Sequence, residues 1–305
     1  MATTNTELYR RFGGQLRVRF FRFAPLTLSG IRATSKKKIP LVLLFTPPLI
    51  GTVIFSFMVY ARYAPEVIVG EMGANQEIAA AVAERVAEQV PDVKRQIVGF
   101  TRVLRVFAIL AIAWFGSGLF AEDRQCGAHQ LYFARPITRL DYFFGKFFTA
   151  AFYGAGTVLV PGLVICLVAV LSSPNWSFLT GEWDVILKTA LYSMFWIGIV
   201  TLVVLCASSL VKRRAFALIA VFAFFMFPSF LATALVGITK DVRFFALSTL
   251  INSRRIGYWL FDIASSGPRS MLSYDLSLAF LETGTVAVLC LVIMAIQIRR
   301  MEVVP

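Results

Sequence analysis

Three long stretches of the chain contain no charged residue: Ile39–Ala61, Thr189–Val211 and Ala215–Thr239. Each is longer than the roughly 20 apolar residues that an α-helix needs to cross the hydrocarbon core of a membrane. A surface helix of a soluble domain would instead carry polar residues along one face. The composition agrees, because 58% of the residues are hydrophobic and only 15% are charged. We therefore expect an all-α polytopic membrane protein.

Three further segments complete a predicted set of six transmembrane helices. Val106–Ala121 is short, but Arg102 and Arg105 just before it can extend their charges to the membrane interface. Phe147–Leu171 contains glycines and a proline, which membrane helices tolerate and which allow close helix contact. Leu276–Ile298 is the last segment. The predicted spans are 39–61, 100–121, 142–171, 187–211, 215–238 and 276–298.

Six spans place both termini on the same side of the membrane. That side holds 1–38, the loop 121–146, 212–214 and 299–305, and it carries the whole net charge of +13. Because positively charged loops stay in the cytoplasm, both termini are expected to be cytoplasmic. The basic residues then face anionic lipid. A nucleic-acid-binding domain would combine a basic patch with interleaved aromatic residues on a soluble surface, and the sequence shows no such pattern. Cys126 is the only cysteine predicted outside a span, so no disulfide framework is indicated.

The N-terminal tail, residues 1–38, has an amphipathic pattern. Apolar residues recur at every fourth position between arginines: Leu8, Phe12, Leu16 and Phe20. This spacing predicts a helix lying on the membrane surface, with Arg17, Arg19 and Arg22 at the lipid headgroups. A simple basic anchor before the first span explains the same residues. The remainder, 39–305, forms the six-span domain.

Two external regions have their own patterns. Residues 62–99 predict an amphipathic helix that is bent or divided at Pro91. This helix could cap the external mouth, pair with a second subunit, meet another protein, or pack on its own external face. Residues 240–275 are apolar enough to dip into the membrane as an interfacial or re-entrant hairpin, with turns at Ser265–Pro268.

The spans hold few of the titratable groups that an intramembrane enzyme or a proton-coupled transporter needs. Glu282 is the one carboxylate inside a predicted span, and it fits either a functional polar site or an interfacial residue near the external end. Cys126 and His129 are two metal ligands, whereas zinc needs four, or three plus water. No G-x-x-x-x-G-K-[ST] phosphate loop occurs, so ATP-driven work would require another chain.

The loop between the second and third spans has the features of a stiff docking element. Glu122 and Asp123 open a segment that can be helical, and Pro136 ends it. Thr138 and Asp141 then form the S/T-x-x-D pattern of a capping box at the start of the third span. A short helix with apolar and charged side chains outside the membrane suits docking into a groove on a partner.

The order of an acidic pair, Gly127, Leu131, the string RPITR at 135–139 and Gly145-Lys146 resembles the permease subunits of type-2 ATP-binding-cassette exporters. The similarity is to the short six-span branch that includes the nitrous-oxide-reductase maturation permease. Many members have Gly-Thr where this chain has Gly127-Ala128. The resemblance implies a protein of the bacterial inner membrane that pairs with a second permease copy or homologue. ATP and Mg would bind a separate ATPase subunit, so this chain would be no enzyme and hold no cofactor or metal.

The resemblance also implies residue roles. The residues that would form or frame the contact with the ATPase are Glu122, Asp123, Arg124, Gly127, Gln130, Leu131, Arg135 and Pro136. Arg139 and Lys146 would fix the loop at the lipid headgroups. The expected function is export of a substrate, driven through a coupling helix within 122–136. The alternatives are a non-transporting force transmitter that acts on an external partner through 62–99, and an intramembrane enzyme that uses Glu282 and His129.

Overall fold

The computed structural model describes residues 23–36, 38–72, 91–127, 137–173, 176–263 and 273–302. Every long regular element within these residues is a helix. The α-helices are α1 (Phe23–Ser35), α2 (Lys38–Met72), α3 (Val93–Gly116), α4 (Gly118–Gln125), α5 (Arg139–Gly154), α6 (Val160–Ser172), α7 (Ser177–Gly181), α8 (Trp183–Leu210), α9 (Arg214–Thr239), α10 (Thr249–Leu260) and α11 (Leu276–Glu302). A π-helical turn (Ala155–Leu159) joins α5 to α6, and a 3-10 helix (Val242–Leu247) precedes α10.

Six helical stretches are long and apolar enough to cross a membrane, which confirms the predicted all-α polytopic fold class. They are Lys38–Tyr63, Val93–Gln125, Arg139–Ser172, Trp183–Leu210, Arg214–Thr239 and Leu276–Arg300. The most apolar parts of the second and fourth stretches are 72% and 67% buried, against 22% for the first, fifth and sixth. Therefore α3 and α8 form the centre of the bundle, and α2, α9 and α11 turn apolar side chains outward.

The first candidate span agrees with the predicted 39–61 to within two residues, whereas the second begins earlier than the predicted residue 100. The helix of the first span continues to Met72, and α3 begins at Val93, two residues after Pro91. Residues 93–99, predicted to belong to a separate external helix, are instead the first turns of the second span, and Ile97 is 1% exposed. Arg62 and Asp92 form an ion pair of 2.5 Å across this end of the bundle. The predicted helix between 73 and 90 lies outside the described residues.

A helix does precede the first span, but it is α1, which lies after the predicted amphipathic pattern. α1 packs along α5, where the ring of Phe23 stacks on that of Phe148 at 5.4 Å between centroids. The Thr34 hydroxyl is hydrogen-bonded to the Tyr153 hydroxyl at 2.6 Å. Outside the described residues lie the Leu8–Phe20 pattern and its three predicted anchors, Arg17, Arg19 and Arg22.

The third span contains a local change of helix type. Ala155–Leu159 form a π turn that ends two residues before Pro161, which has no N–H to donate to the preceding turn. Next to the π turn, a Cβ atom placed on Gly154 would lie 2.7 Å from Cδ1 of Ile112. The absence of a side chain at Gly154 therefore allows α5 to approach α3, as predicted for the glycines of this span.

The predicted capping box at the start of α5 is confirmed. The Thr138 hydroxyl accepts a hydrogen bond of 3.1 Å from the Asp141 N–H. The Asp141 carboxylate in turn accepts one of 3.1 Å from the Thr138 N–H. These bonds satisfy two backbone donors that the first turn of a helix leaves without partners, and they fix the start of α5 at Arg139.

Replacing Thr138 with alanine is expected to lower the free energy of unfolding by about 1 kcal/mol, because the backbone N–H of the first turn loses its acceptor. Thermal unfolding of the purified protein in detergent measures this change. Thr285→Ala is the matched control, since its exposed hydroxyl donates only to the Leu281 carbonyl one turn earlier in α11. An equal loss of stability in both variants would contradict a capping role for Thr138.

Candidate functional site

A buried ion pair holds the base of the loop between the second and third spans. Asp123 lies in the last turn of α4, and its carboxylate is 2.7 Å from the ammonium of Lys146 in α5. The hydroxyl of Tyr142 donates a hydrogen bond of 2.7 Å to the same carboxylate. The side chains of Asp123 and Lys146 are only 13% and 9% exposed. These three residues, here called the loop clamp, tie the end of the second span to the third.

The same loop base is also joined to the fourth span. The guanidinium of Arg124 donates a hydrogen bond to the Ser209 carbonyl near the end of α8. One residue earlier in α8, the buried Ser208 hydroxyl donates 2.7 Å to the Ser117 carbonyl at the break between α3 and α4. α4 is therefore bonded to α5 and to α8, and a displacement of α4 would be transmitted to both helices.

The predicted start of the loop helix is corrected. The helix that contains Glu122 and Asp123 begins at Gly118, so these acids lie in its last turn and not in its first. It stops because Gly127 takes a left-handed conformation with φ of 67°, which ends helices and favours glycine. Carboxylates near a helix C-terminus are unfavourable, and the adjacent Lys146 offsets this for Asp123.

The predicted role of Lys146 as a headgroup anchor is also corrected. Its ammonium is turned into the bundle toward Asp123, seven residues inside the start of α5, and so does not reach the lipid headgroups. Arg139, the other predicted anchor, is the exposed first residue of α5. Its headgroup contact stays a prediction.

Some of the other predicted loop residues lie within the described part of the chain, and the rest lie outside it. Glu122 is exposed at the surface of α4, where a partner has access to it. Cys126 is a free, exposed thiol, and within the described parts of the chain no three His, Cys, Asp or Glu residues come together as a metal site. Outside the described residues lie His129, Gln130, Leu131, Arg135 and Pro136.

A second polar cluster, called here the Glu282 cluster, lies near the opposite end of the bundle. The Thr249 hydroxyl donates 2.6 Å to one carboxylate oxygen of Glu282, and the Asn252 amide donates 2.8 Å to the other. The Tyr274 hydroxyl donates 2.5 Å to the Asn252 side-chain oxygen. Burial raises the pKa of Tyr274 above its usual value, so this hydroxyl stays protonated at physiological pH. Glu282 thus attaches α10 to α11.

The segment containing α10 enters the bundle and returns. The Ser248 hydroxyl, at the start of α10, is 2.6 Å from that of Ser229. Ser229 lies ten residues before the end of α9, a distance of about 15 Å along that helix. Just beyond the other end of α10, Asp262 forms an ion pair of 2.7 Å with Lys188 near the start of α8. Whether this segment enters the membrane as a re-entrant or interfacial hairpin stays a prediction, and its predicted turns at Ser265–Pro268 lie outside the described residues.

Arg105 does not extend to the membrane interface as predicted. Its guanidinium donates a hydrogen bond to the Leu250 carbonyl in the first turn of α10. It also lies 5.5 Å from the centroid of the Trp196 ring. A carbonyl and an aromatic face compensate a positive charge inside the bundle, where lipid would not. Arg105 therefore holds the deep end of α10, a role that the sequence alone did not suggest.

The described residues define a multi-pass helical membrane protein with an ion-paired loop base at one end and a polar cluster around Glu282 toward the other. No protein-family model and no curated protein sequence matches the chain. The loop clamp and the Glu282 cluster are therefore the physical basis for assigning a function.

Proposed function

We propose that the chain is the membrane-spanning permease subunit of an ATP-binding-cassette exporter in a bacterial cytoplasmic membrane. A separate ATPase subunit docks on the loop 122–136 and supplies ATP and Mg. Movement of that subunit is passed to the spans, which open a path for the substrate. The observation that supports this proposal most directly is the loop clamp of Asp123, Tyr142 and Lys146.

A docking loop can move the spans only if its attachment to them is stiff. On one side, Asp123 is bonded to Lys146 and Tyr142, and Arg124 is bonded to α8. On the other side, the capping box at Thr138 fixes the start of α5. A force applied between these two attachments is passed to packed helices, which respond as rigid elements.

The rest of the molecule is compatible with this assignment. The net charge of +13 lies on the side of the loop, which favours a cytoplasmic location for the loop and both termini. The outward apolar faces of α2, α9 and α11 are available for lipid and for a second permease copy or homologue. Because the sequence has no phosphate loop, ATP hydrolysis belongs to the partner.

One observation favours the alternative of a force transmitter. α2 has 35 residues and is therefore about 52 Å long, whereas the hydrocarbon core is about 30 Å thick. The helix extends past the membrane on the side opposite the loop, where an external partner has access to it. In this alternative the chain moves that partner and transports no substrate.

Charge reversal at Arg135 is the test of the docking assignment. The tagged chain is purified from its native membranes in mild detergent, and ATP hydrolysis of the purified complex is measured. Arg135→Glu is expected to reduce the co-purifying ATPase activity by about tenfold, because the reversed charge weakens a contact with the partner. Lys212→Glu, at an exposed position between α8 and α9, should retain wild-type activity.

Two outcomes would contradict the proposal. ATP hydrolysis by the purified chain without a partner would place the nucleotide site in this chain. Equal activity of the Arg135→Glu and wild-type complexes would show that the loop does not contribute to the contact with the ATPase subunit. Reconstitution in liposomes then separates the two candidate functions, because only an exporter shows ATPase stimulation by a compound that it transports.

A further inference from the structure

A groove of about 470 Å³ lies between the first turns of α5 and the last turns of α11. Its lining residues are Arg139, Leu140, Phe143, Phe144, Leu291, Met294, Ala295, Ile298 and Arg299. The volume is in the range of sites that bind small molecules. Seven of the nine lining residues are apolar and the two others are arginines, so the groove combines a hydrocarbon-like wall with positive charge.

The apolar and charged parts of the groove are separated along the membrane normal. Arg139 is the first residue of α5, and Arg299 lies in the last turn of α11, so both arginines are at the loop end of the bundle. Leu291 lies two turns deeper in α11, about 12 Å from Arg299 along the helix. Met294 and Ile298 form a buried floor, with 1% and 4% exposure. The apolar wall therefore lies toward the middle of the spans, and the arginines lie at their loop end.

We propose that this groove binds one anionic phospholipid from the adjacent leaflet. Its phosphate would be held by the guanidinium groups of Arg139 and Arg299, and an acyl chain would lie along Leu140, Phe144 and Leu291. Guanidinium groups bind phosphate oxygens through paired N–H donors, and the lining contains no acid to repel an anion. This inference does not depend on the proposed transport function.

The charges on this side of the protein disfavour a protein occupant. A second copy in the same membrane has the same orientation, so it would bring its own Arg139 and Arg299 to the same depth. The tail 1–22 carries five arginines and one glutamate, so it would also meet the groove with like charge. An anionic lipid brings the opposite charge together with the hydrocarbon that the wall requires.

The test compares lipid retention by the full chain and its variants. Each is purified in detergent, equilibrated with equal amounts of phosphatidylglycerol and phosphatidylcholine, and analysed by native mass spectrometry. The wild-type chain is expected to retain one phosphatidylglycerol in preference to phosphatidylcholine. Arg139→Gln/Arg299→Gln is expected to reduce that preference about thirtyfold, since two basic contacts are lost.

Two further variants separate a built site from general surface charge. Lys212→Gln/Arg213→Gln removes two exposed basic residues at the same end but outside the groove, and it should keep the preference. Ala295→Phe fills the groove while both arginines remain, and it should abolish retention of the lipid. Thermal unfolding in detergent confirms that each variant is folded.

Three results would overturn the proposal. The first is a wild-type chain with no preference for phosphatidylglycerol. The second is an equal loss in the Lys212→Gln/Arg213→Gln control, which would indicate general surface charge. The third is full retention in Ala295→Phe, which would place the lipid elsewhere. Cross-linking of residues 1–22, or of a second copy, into the groove of lipid-free protein would identify a protein occupant instead.

Discussion

Replacing Lys146 with methionine is expected to lower the free energy of unfolding by about 3–5 kcal/mol, the cost of removing one partner from a buried ion pair. Methionine fills much of the volume of the lysine stem but carries no charge. The Asp123 carboxylate, 13% exposed, then loses the ammonium that lies 2.7 Å away. Denaturation of the purified protein in mixed detergent micelles, followed by circular dichroism, measures the change.

The double variant Asp123→Asn/Lys146→Met is the control for this effect. It removes both charges, so no buried carboxylate remains without its ammonium, and at least half of the lost stability should return. Arg300→Met removes an exposed charge at the same end and should change stability by no more than about 0.5 kcal/mol. A double variant as unstable as Lys146→Met would show that volume, not charge, decides the result.

The double variant also tests the proposed function separately from stability. If the loop clamp transmits movement, a folded Asp123→Asn/Lys146→Met complex should bind its ATPase and hydrolyse ATP but transport less substrate. Normal transport by this variant would show that the ion pair stabilises the fold and takes no part in coupling.

The second large effect is expected at Glu282. Replacing it with leucine removes the acceptor of the two hydrogen bonds that come from α10, from Thr249 and from Asn252, and of a longer one from its neighbour Thr283. A hydrogen bond to a charged group contributes about 1.5–3 kcal/mol, so we expect a loss of about 3 kcal/mol or more. The loss should be concentrated in α10, which is attached to α11 through these bonds. Faster hydrogen–deuterium exchange across 248–260 is the measurement.

Glu282→Gln and Thr285→Leu provide the comparison. Glutamine keeps one carbonyl acceptor, so its effect on exchange should be less than half of that of leucine. Thr285 is exposed on α11 three residues further on, and leucine there should leave α10 unchanged. If Glu282→Gln abolishes function while α10 remains protected from exchange, Glu282 has a chemical role in addition to its structural one.

Features that depend on neighbouring residues could be predicted from the sequence. The capping box joins Thr138 and Asp141 within one turn, so the two residue types and their spacing were sufficient. The six spans follow from the length of the uncharged segments, since a long apolar segment in lipid must satisfy its backbone hydrogen bonds internally and therefore forms a helix. The first span was predicted to within two residues, but the second helix begins earlier than predicted, because Lys94 and Arg102 lie within it and interrupt the uncharged segment.

The loop clamp could not be predicted, because Asp123 and Lys146 belong to different helices. Lys146 was assigned to the lipid headgroups because of the resemblance to a permease family, which carries no information on its partner in this fold. One signal was nevertheless present. Once Thr138 fixes the helix start, Lys146 lies two turns inside and shares a face with Tyr142 and Thr149, both buried. A lysine on such a face needs an acid nearby.

The Glu282 cluster was beyond sequence reasoning for a similar reason. Glu282 was noted as the one carboxylate in a predicted span, but its partners Thr249 and Asn252 lie in a segment with no strong pattern. Their contact depends on how deeply α10 enters the bundle. That depth is set by distant residues, including Arg105 through the Leu250 carbonyl.

The π turn at Ala155–Leu159 has a consequence for the length of the chain. A π turn contains one residue more than an α turn, so deleting one residue there can restore a regular α-helix while α5 and α6 keep their facing contacts. A deletion inside a continuous helix would rotate everything beyond it by about 100° and turn buried side chains toward lipid. Of the spans described, the third is thus the one that can lose a residue and still present the same faces to its neighbours.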